Sequence, residues 1–151
     1  MKAVVQRVNH AEIVINGGEK KSIGKGLLIL YGVKDTDNID LCPKFAEKCV
    51  GLRIFEDEDG KLNLSATDLN LDIMIVSNFT LYADTKKGKR PSFISAAKPP
   101  LSVDCYNYFV QCAKKQNVKS VVTGEFGADM QITLENDGPV TIVVDSDEWT
   151  K

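Results

Sequence analysis

The segment that most constrains the fold runs from Gly26 to Val33 and is apolar at nearly every position, with a glycine near each end. Its length favours a strand over a helix, and its lack of polar positions predicts that both faces of this strand are buried. The preceding residues are also typical of β structure, because 1–9 and 11–15 alternate loosely and end in a turn at 16–18. The chain is therefore predicted to open as a sheet that contains one fully buried strand.

Only two segments have the periodicity of amphipathic helices. The first follows candidate N-cap residues at 35–38, and its apolar positions fall on one face: Cys42, Phe45, Ala46, Cys49 and Val50. The second begins at Pro99-Pro100, and its apolar positions are again spaced as in a helix: Leu101, Cys105, Tyr108, Phe109 and Cys112.

The remaining periodic segments predict strands. They lie at 71–76, 119–123, 130–134 and 140–144, and the first is expected to continue through Leu81-Tyr82-Ala83. Asp57-Glu58-Asp59-Gly60 lacks the other ligand positions of a calcium loop and predicts an acidic hairpin turn. Since the helices lie between blocks of strands, the class is α+β rather than a doubly wound sheet. We predict a single domain over residues 1–151, with a mainly antiparallel, curved barrel-like β-sheet and two main helices packed on it.

Charge restricts the partners of the chain. A net charge of −2 and a pI near 5.4 argue against general binding of polyanions, so any RNA contact is expected to be local. Gln6 and Arg7 interrupt the first apolar run, and no segment has membrane-spanning length. These features predict a cytoplasmic protein without a membrane or DNA partner.

The four cysteines form two pairs, and the members of each pair are seven residues apart in a predicted helix: Cys42 and Cys49, Cys105 and Cys112. Seven residues of helix span about 10.5 Å, whereas two thiolates on one zinc ion lie within roughly 4 Å of each other. Neither pair can therefore chelate one ion. We interpret all four as small buried residues and predict no metal, no disulfide and no cofactor.

Candidate catalytic groups are few. His10 is the only imidazole, and it lies between two β segments, where a turn role is the simpler interpretation. Nucleophile and base arrangements of the serine or cysteine type would depend on this one residue. Catalysis by a side-chain base is therefore not expected.

Two short segments offer another kind of chemistry. Extended residues from Ser77 to Leu81 would place hydroxyl and amide groups beside backbone N–H donors, which suits a developing oxyanion, although an edge strand with capping residues explains them equally simply. Asn136-Asp137-Gly138 is a strong hairpin signal. The following Gly138-Pro139 bond could instead be cis, and two successive carbonyls would then suit an ammonium group. Both interpretations stay open for each segment.

The densest positive tract lies just beyond the first of these segments. It contains Lys86, Lys87, Lys89 and Arg90, and Pro91 follows. Most tracts of this kind are solvated loops, but this one could bind phosphate near a reacting group.

Taken together, five segments resemble the D-aminoacyl-tRNA deacylases of the D-tyrosyl-tRNA(Tyr) deacylase family. They are Met1 to Val8 with Arg7, Val76 to Leu81, Lys86 to Pro91, Gly127 to Met130 and Asn136 to Thr141, and their order and spacing match along the whole chain. The resemblance implies the fold of that family and a homodimer. It also implies hydrolysis of the ester that joins a D-amino acid, or glycine, to the 3′-terminal adenosine of tRNA.

The resemblance also implies roles for single residues. Ser77, Phe79 and Thr80 would be catalytic, with the backbone at the last two close to the scissile carbonyl. Lys86, Lys87, Lys89 and Arg90 would contact the tRNA. Substrate would be bound by Asn78, Met130, Asn136, Gly138 and Pro139. A Gly-cis-Pro pair from the partner subunit would face the α-amino group, and Arg7 would hold its loop.

One residue departs from the family pattern, which usually has glutamine where this chain has Asn78. Two rival functions stay open, and Asn78 supports the first of them. The first is a non-catalytic module that binds an RNA 3′ end. The second is a hydrolase of small esters or amides that uses Thr80 as its nucleophile.

Overall fold

A computed structural model of the chain describes residues 1–149. Eight strands form, with these bounds: β1 Lys2–Ile15, β2 Glu19–Ile23, β3 Gly26–Gly32, β4 Phe55–Glu56, β5 Leu62–Leu64, β6 Asp72–Ser77, β7 Ser120–Thr123 and β8 Met130–Asp145. Three α-helices join them: α1 Cys42–Val50, α2 Ala66–Leu69 and α3 Leu101–Lys114. Short 3₁₀ turns cover Ile39–Leu41, Phe79–Tyr82 and Ser146–Trp149. No helix among these residues is long and apolar enough to cross a membrane.

Strand β1 organises the main sheet because it pairs along both of its edges. One edge pairs with β8 over the full length of β1, and the other pairs first with β3 and then with β2, all antiparallel. The pairings of β3 with β6 and of β6 with β7 are parallel, so the sheet is mixed. The sheet curves, and Lys21 on β2 reaches across to donate to the carbonyl of Thr123 on β7. The predicted α+β fold with a barrel-like sheet is confirmed.

The core has two layers, which meet at β3. Leu27, Ile29 and Tyr31 face the helices and pack with residues of α1 and α3, whereas Leu28 faces the barrel interior. The rings of Tyr31 and Phe109 stack at 4.2 Å, which joins the sheet to α3. The prediction that this strand is buried on both faces is confirmed.

The two predicted helices form where expected. The five apolar positions of the first are the buried residues of α1, and Asn38 caps the 3₁₀ turn that precedes it by accepting from the N–H of Asp40 at 2.9 Å. The four cysteines are buried, as predicted. Helix α2 was not predicted. It is one turn long and owes its start to a capping box between Ser65 and Asp68.

The acidic turn also agrees with the prediction. The N–H of Asp57 donates to the carbonyl of Lys61, and the N–H of Gly60 donates to that of Asp57, so the segment closes the β4–β5 hairpin.

Two local predictions are wrong. Strand β6 ends at Ser77, and the 3₁₀ turn replaces the expected extension through Leu81-Tyr82-Ala83. Asn136-Asp137-Gly138 is not a hairpin, because the residues before and after it pair with the same strand, β1. Between Asn136 and Thr141, β8 has four residues where β1 has only Arg7, so the segment forms a bulged loop within one long strand.

Candidate active site

The first candidate segment is a turn at the end of β6. Ser77 is the last residue of the ladder, opposite Tyr31, and the N–H of Asn78 donates to the carbonyl of Tyr31 at 2.8 Å. The turn from Phe79 to Tyr82 then directs the chain away from the sheet. The backbone at Phe79 and Thr80 consequently lies at the surface.

Asn78 gives this turn its shape. Its Oδ1 atom accepts from the N–H of Thr80 at 3.2 Å and also from the hydroxyl of Thr80. Such a local side-chain cap competes with continued strand pairing, which explains why β6 stops here. The hydroxyl proton of Thr80 therefore points at an amide oxygen, which is not a base.

Phe79 is apolar but 56% exposed. Its ring meets that of Phe93 edge to face, with 5.2 Å between centroids. An exposed phenylalanine that packs on a half-buried one beside a polar turn is typical of a binding surface.

The second candidate segment is the Gly138-Pro139 loop, and Arg7 anchors it. The side chain of Arg7 is buried; its Nε donates to the carbonyl of Asp137 at 3.0 Å and lies 3.2 Å from the Asp137 carboxylate. Nη1 of Arg7 donates to the carbonyl of Ile54 at 2.8 Å. One guanidinium thus ties the loop to the segment that follows α1.

Asn136 closes the same loop. Its Oδ1 accepts from the N–H of Val140 at 2.8 Å, and its Nδ2 donates to the hydroxyl of Thr141 at 2.9 Å. The Gly138–Pro139 peptide bond is cis. Gly138 has a φ of +131°, and a Cβ there would lie 2.8 Å from the Val140 side chain and 3.2 Å from Arg7. Only glycine fits this position without strain.

The turn and the loop do not meet within one chain. The turn is hydrogen-bonded to Tyr31 of β3, which pairs with Ala3 on one edge of β1. The loop is part of β8 and lies opposite Arg7 on the other edge of β1. Along the sheet this separation is roughly 13 Å in the strand direction and roughly 14 Å across three strand spacings.

Met130 lies beside the second half of β6. It covers Gly124, where an added Cβ would clash with the Met130 sulfur, and the N–H of Gly124 donates to the carbonyl of Ile75. The curvature of the sheet thus brings the start of β8 close to the end of β6.

The basic tract forms a closed loop directly after the turn. Two backbone hydrogen bonds between Asp84 and Ser92, at 2.7 and 2.9 Å, hold its base. Its cations are exposed: Lys86, Lys87, Lys89 and Arg90. The loop therefore presents positive charge beside the surface of Phe79 and Thr80.

Comparison with known proteins identifies the family. Residues 4–145 match the family model described as D-Tyr-tRNA(Tyr) deacylase. A protein of Lactobacillus acidophilus named D-aminoacyl-tRNA deacylase is 51% identical over 145 residues, which cover 96% of this chain and 99% of that one. A protein of the same name from Finegoldia magna is 52% identical over 149 residues, covering 97% and 98%.

The chain belongs to the D-Tyr-tRNA(Tyr) deacylase family. A solved structure titled c-Myc DNA Unwinding Element Binding Protein superposes with a TM-score of 0.88 at 40% identity, covering 97% of this chain and 99% of the other. A probable eukaryotic D-amino acid tRNA deacylase has a TM-score of 0.85 at 14% identity, covering 95% and 97%, and supports the deacylase fold alone.

Within residues 1–149, no hydrogen bond joins Thr80 to the imidazole or to a thiol of this deacylase-family chain. His10 lies on β1 with its Nε2 3.0 Å from Glu135, and hydrogen bonds from Asn9 and His10 hold the pKa of that carboxyl below its usual range. Burial raises the pKa of every cysteine thiol, and that of Cys42 to about 12. Neither imidazole nor thiolate is therefore available to activate the Thr80 hydroxyl.

Sequence reasoning missed three features of this candidate site. The capping role of Asn78 has a recognisable signal, because asparagine commonly caps a residue two positions ahead. The bulged loop also has one, since a proline between two strand segments is found mainly at bulges or edges. The contact between Arg7 and Ile54 has none, because no local pattern links residues so far apart.

Proposed function

We propose that this protein is a D-aminoacyl-tRNA deacylase, which hydrolyses the ester between a D-amino acid and the 3′-terminal adenosine of tRNA. Membership of the D-Tyr-tRNA(Tyr) deacylase family over nearly the whole chain carries this conclusion. The exposed turn over Asn78–Thr80, with the basic loop beside it, provides a surface suited to an aminoacylated RNA end. Translation is the source of such a substrate, so the proposed site of action is the cytoplasm.

The proposed mechanism depends on positioning and on backbone donors. The N–H groups at Phe79 and Thr80 face the carbonyl oxygen as it gains charge, and the neighbouring ribose hydroxyl activates the ester. Among residues 1–149, Asn78 alone accepts from the amide of Thr80, at 3.2 Å, so a substrate oxygen can replace that weak bond. Ser77 fixes the start of the turn as the last residue of the β6 ladder.

Met130 and Phe79 supply the apolar part of the proposed binding surface. Met130 covers Gly124 near the end of β6, where it would border the adenosine. The edge-to-face pair of Phe79 and Phe93 offers a second apolar contact. The cations of the basic loop would neutralise phosphates next to the terminal nucleoside.

We further propose that a homodimer completes the site. The Gly138-Pro139 loop of one subunit would enter the turn of the other and direct its carbonyls at the substrate's α-amino group. The separation between turn and loop within one chain supports this arrangement, because a single subunit cannot bring both to one small substrate. The anchoring of the loop by Arg7 and Asn136 supports it also, since a fixed wall is needed for selectivity.

Chiral selection then follows from steric exclusion. With the ammonium group and the carbonyl both fixed, an L side chain would point into the Gly138-Pro139 wall, whereas a D side chain would point away. Glycine has no side chain to reject, so glycyl-tRNA(Ala) is a proposed second substrate.

The test uses D-tyrosyl-tRNA and L-tyrosyl-tRNA with the purified full chain. We expect release of D-tyrosine at a rate at least a hundredfold above that of L-tyrosine. Equal rates, or no release from the D substrate, would refute the proposal. Glycyl-tRNA(Ala) in the same assay tests the second substrate separately.

The rival function is a module that binds the RNA end without cleaving it. The Asn78 side chain keeps this rival open, because it is one methylene shorter than the glutamine usual in the family. Binding of D-tyrosyl-tRNA without turnover would favour the rival. An Asn78→Gln variant that gained turnover would then show that the shorter side chain of Asn78 is what prevents cleavage. Cleavage of simple esters without a ribose 2′-hydroxyl would instead favour Thr80 as nucleophile.

A further inference from the structure

A charged cavity lies away from the turn, beside α1. We call it the basic groove; it holds about 700 Å³ and is lined chiefly by Lys44, Glu47, Lys48, Arg53, Gln116 and Trp149. A volume in this range accommodates one or two nucleotide units. None of these residues takes part in the site described above.

The groove has an excess of positive charge. Lys44 and Lys48 are one helical turn apart on the exposed face of α1, so their ammonium groups can converge on one anion. Arg53 adds a third cation, and Glu47 is the one carboxylate among the lining residues. Because the chain as a whole has a net charge of −2, this excess is a local feature of the surface.

The three cations of the basic groove are available to a ligand. Within residues 1–149, none of them has a carboxylate at salt-bridge distance. Arg53 donates to the carbonyl and the side chain of Asn63, which fixes its guanidinium at the rim. The pKa of Asp68 is lowered mainly by hydrogen bonds from Ser65, and only in small part by the charge of Arg53.

Trp149 forms one wall of the basic groove. Its ring lies 5.4 Å from that of Phe45, and the Lys44 ammonium lies 5.3 Å above it. An aromatic surface beside cations suits a nucleotide, whose phosphate and base need both kinds of contact. It is also the only tryptophan of the chain, so its fluorescence reports on this groove alone.

Arg7 links the segment that carries the basic groove to the Gly138-Pro139 loop. Arg7 donates both to Asp137 in that loop and to Ile54, the residue next to Arg53. Two carbonyls bound by one guanidinium lie within about 7 Å of each other. In the proposed dimer this loop reaches the partner's turn, so the groove would flank the partner's reaction centre.

We propose that the basic groove binds backbone phosphates of the tRNA acceptor stem while its 3′ end lies in the site of the other subunit. This inference rests on the proposed function, because the RNA is the substrate of that reaction. The tRNA would then contact the basic loop of one subunit and the basic groove of its partner.

The first experiment measures binding without catalysis. An uncharged acceptor-stem hairpin is titrated into the full chain while Trp149 fluorescence is followed. We expect the Lys44→Gln/Lys48→Gln double variant to bind about tenfold more weakly at 0.1 M salt, with the slope of log Kd against log salt reduced by about 1.5. Lys20→Gln is the charge control, because Lys20 is exposed on β2 and pairs with Glu12.

The second experiment separates the groove from the reaction centre. D-tyrosyl-adenosine has the scissile ester but no stem, so the double variant should cleave it as the wild type does. On full D-tyrosyl-tRNA the kcat/KM of the double variant should fall about tenfold. The groove assignment would be overturned if the wild type cleaved both substrates and the double variant had the same kcat/KM as the wild type on each of them.

The remaining outcomes are also informative. RNA binding that depends on Lys44 and Lys48 in a protein without deacylase activity would support the groove and refute the proposed function. Quenching of Trp149 by AMP at micromolar concentration, with unchanged binding of the hairpin, would overturn the RNA assignment in favour of a small phosphorylated ligand.

Discussion

At the scale of single residues, Arg7 connects the two parts of the chain that shape the Gly138-Pro139 loop. Its guanidinium donates to the buried carbonyl of Ile54 and to the partly buried carbonyl of Asp137, and it pairs with the Asp137 carboxylate. The planar, forked arrangement of its N–H groups is what permits three contacts from one side chain. Lysine retains the charge but has a single nitrogen at its end.

We therefore expect Arg7→Lys to lose one of the two carbonyl contacts. The free energy of unfolding should fall by about 1–3 kcal/mol, since a buried carbonyl is left without a donor. The loop should also lose its fixed position, so the ratio of D to L cleavage should fall more than the D rate itself. Urea unfolding and the paired tRNA assay measure the two effects.

Gln6→Ala is the matched control for Arg7→Lys. Gln6 precedes Arg7 on β1 and makes one exposed contact, to Thr141 at 3.3 Å. The Gln6→Ala substitution should change the free energy of unfolding by no more than about 0.5 kcal/mol. It should leave the ratio of D to L cleavage rates unchanged. An Arg7→Lys variant with unchanged selectivity would show that the loop does not depend on this anchor.

At the scale of elements, Gly138 allows β8 to bulge without ending the strand. The residue combines a φ of +131° with close approach of Val140 and Arg7, so alanine would be both strained and crowded. We expect Gly138→Ala to reduce the free energy of unfolding by about 1–3 kcal/mol and to lower deacylation strongly.

Gly60 provides the comparison for Gly138. It also has a positive φ, of +74°, but an added Cβ would meet nothing within 4 Å. Gly60→Ala should therefore cost only about 1 kcal/mol, from the backbone conformation alone, and leave activity unchanged. Equal effects of the two substitutions would mean that crowding at residue 138 has no part in the site.

The same elements show how far sequence could predict this structure. The buried strand at 26–33 and the helix at 42–50 were predictable because their periodicity is local and their burial follows from it. The bulge at 137–140 was not, because a hairpin and a bulge share the same turn residues and differ only in which strand they pair with. The bulge forms because the residues on both sides of it pair with β1, which lies more than a hundred residues earlier in the chain.

The candidate site divides in the same way. Asn78 and Gly138-Pro139 were assigned to the site by the family resemblance and stay predictions, because the local preferences of asparagine, glycine and proline indicate only turns at these positions. The basic groove was not found, since Lys44 and Lys48 have the spacing of an ordinary solvated helix face, and only the fold adds Arg53 and Trp149. Sites assembled from distant segments leave no local pattern.

At the scale of the whole molecule, buried thiols and phenols predict a loss of stability at alkaline pH. Burial raises the pKa of all four cysteines, and of Tyr31, Tyr82 and Tyr106, the last to about 12. These groups stay protonated in the folded chain but ionise in the unfolded chain near their ordinary values of 9.0 and 10.0. The unfolded state then binds fewer protons, so stability should fall as pH rises.

We expect the free energy of unfolding to be constant from about pH 7 to 8 and to decline from about pH 8.5 upward. Urea unfolding at intervals of half a pH unit, under reducing conditions, measures the profile. Cys49→Ala removes one buried thiol and should reduce the steepness between pH 9 and 10.5 by up to about 1.4 kcal/mol per unit. A flat profile to pH 10.5 would contradict the burial of these groups.

In the proposed dimer each site consists of the turn of one subunit and the Gly138-Pro139 loop of the other. Dimers that combine two different variant subunits can test this arrangement. Gly138→Ala damages the loop, and Thr80→Pro removes one amide donor from the turn. Each variant alone should form folded dimers with little activity, which melting curves and sedimentation can verify.

After unfolding and refolding together in equal amounts, half of the dimers should be mixed. Each mixed dimer has one site with an intact turn and an intact loop, and one site with neither, so activity should return to about a quarter of wild type. If turn and loop instead acted within one chain, every site would keep a damaged part, and mixing would restore nothing. Activity of the mixture that stayed at the level of the separate variants would therefore rule out the shared site.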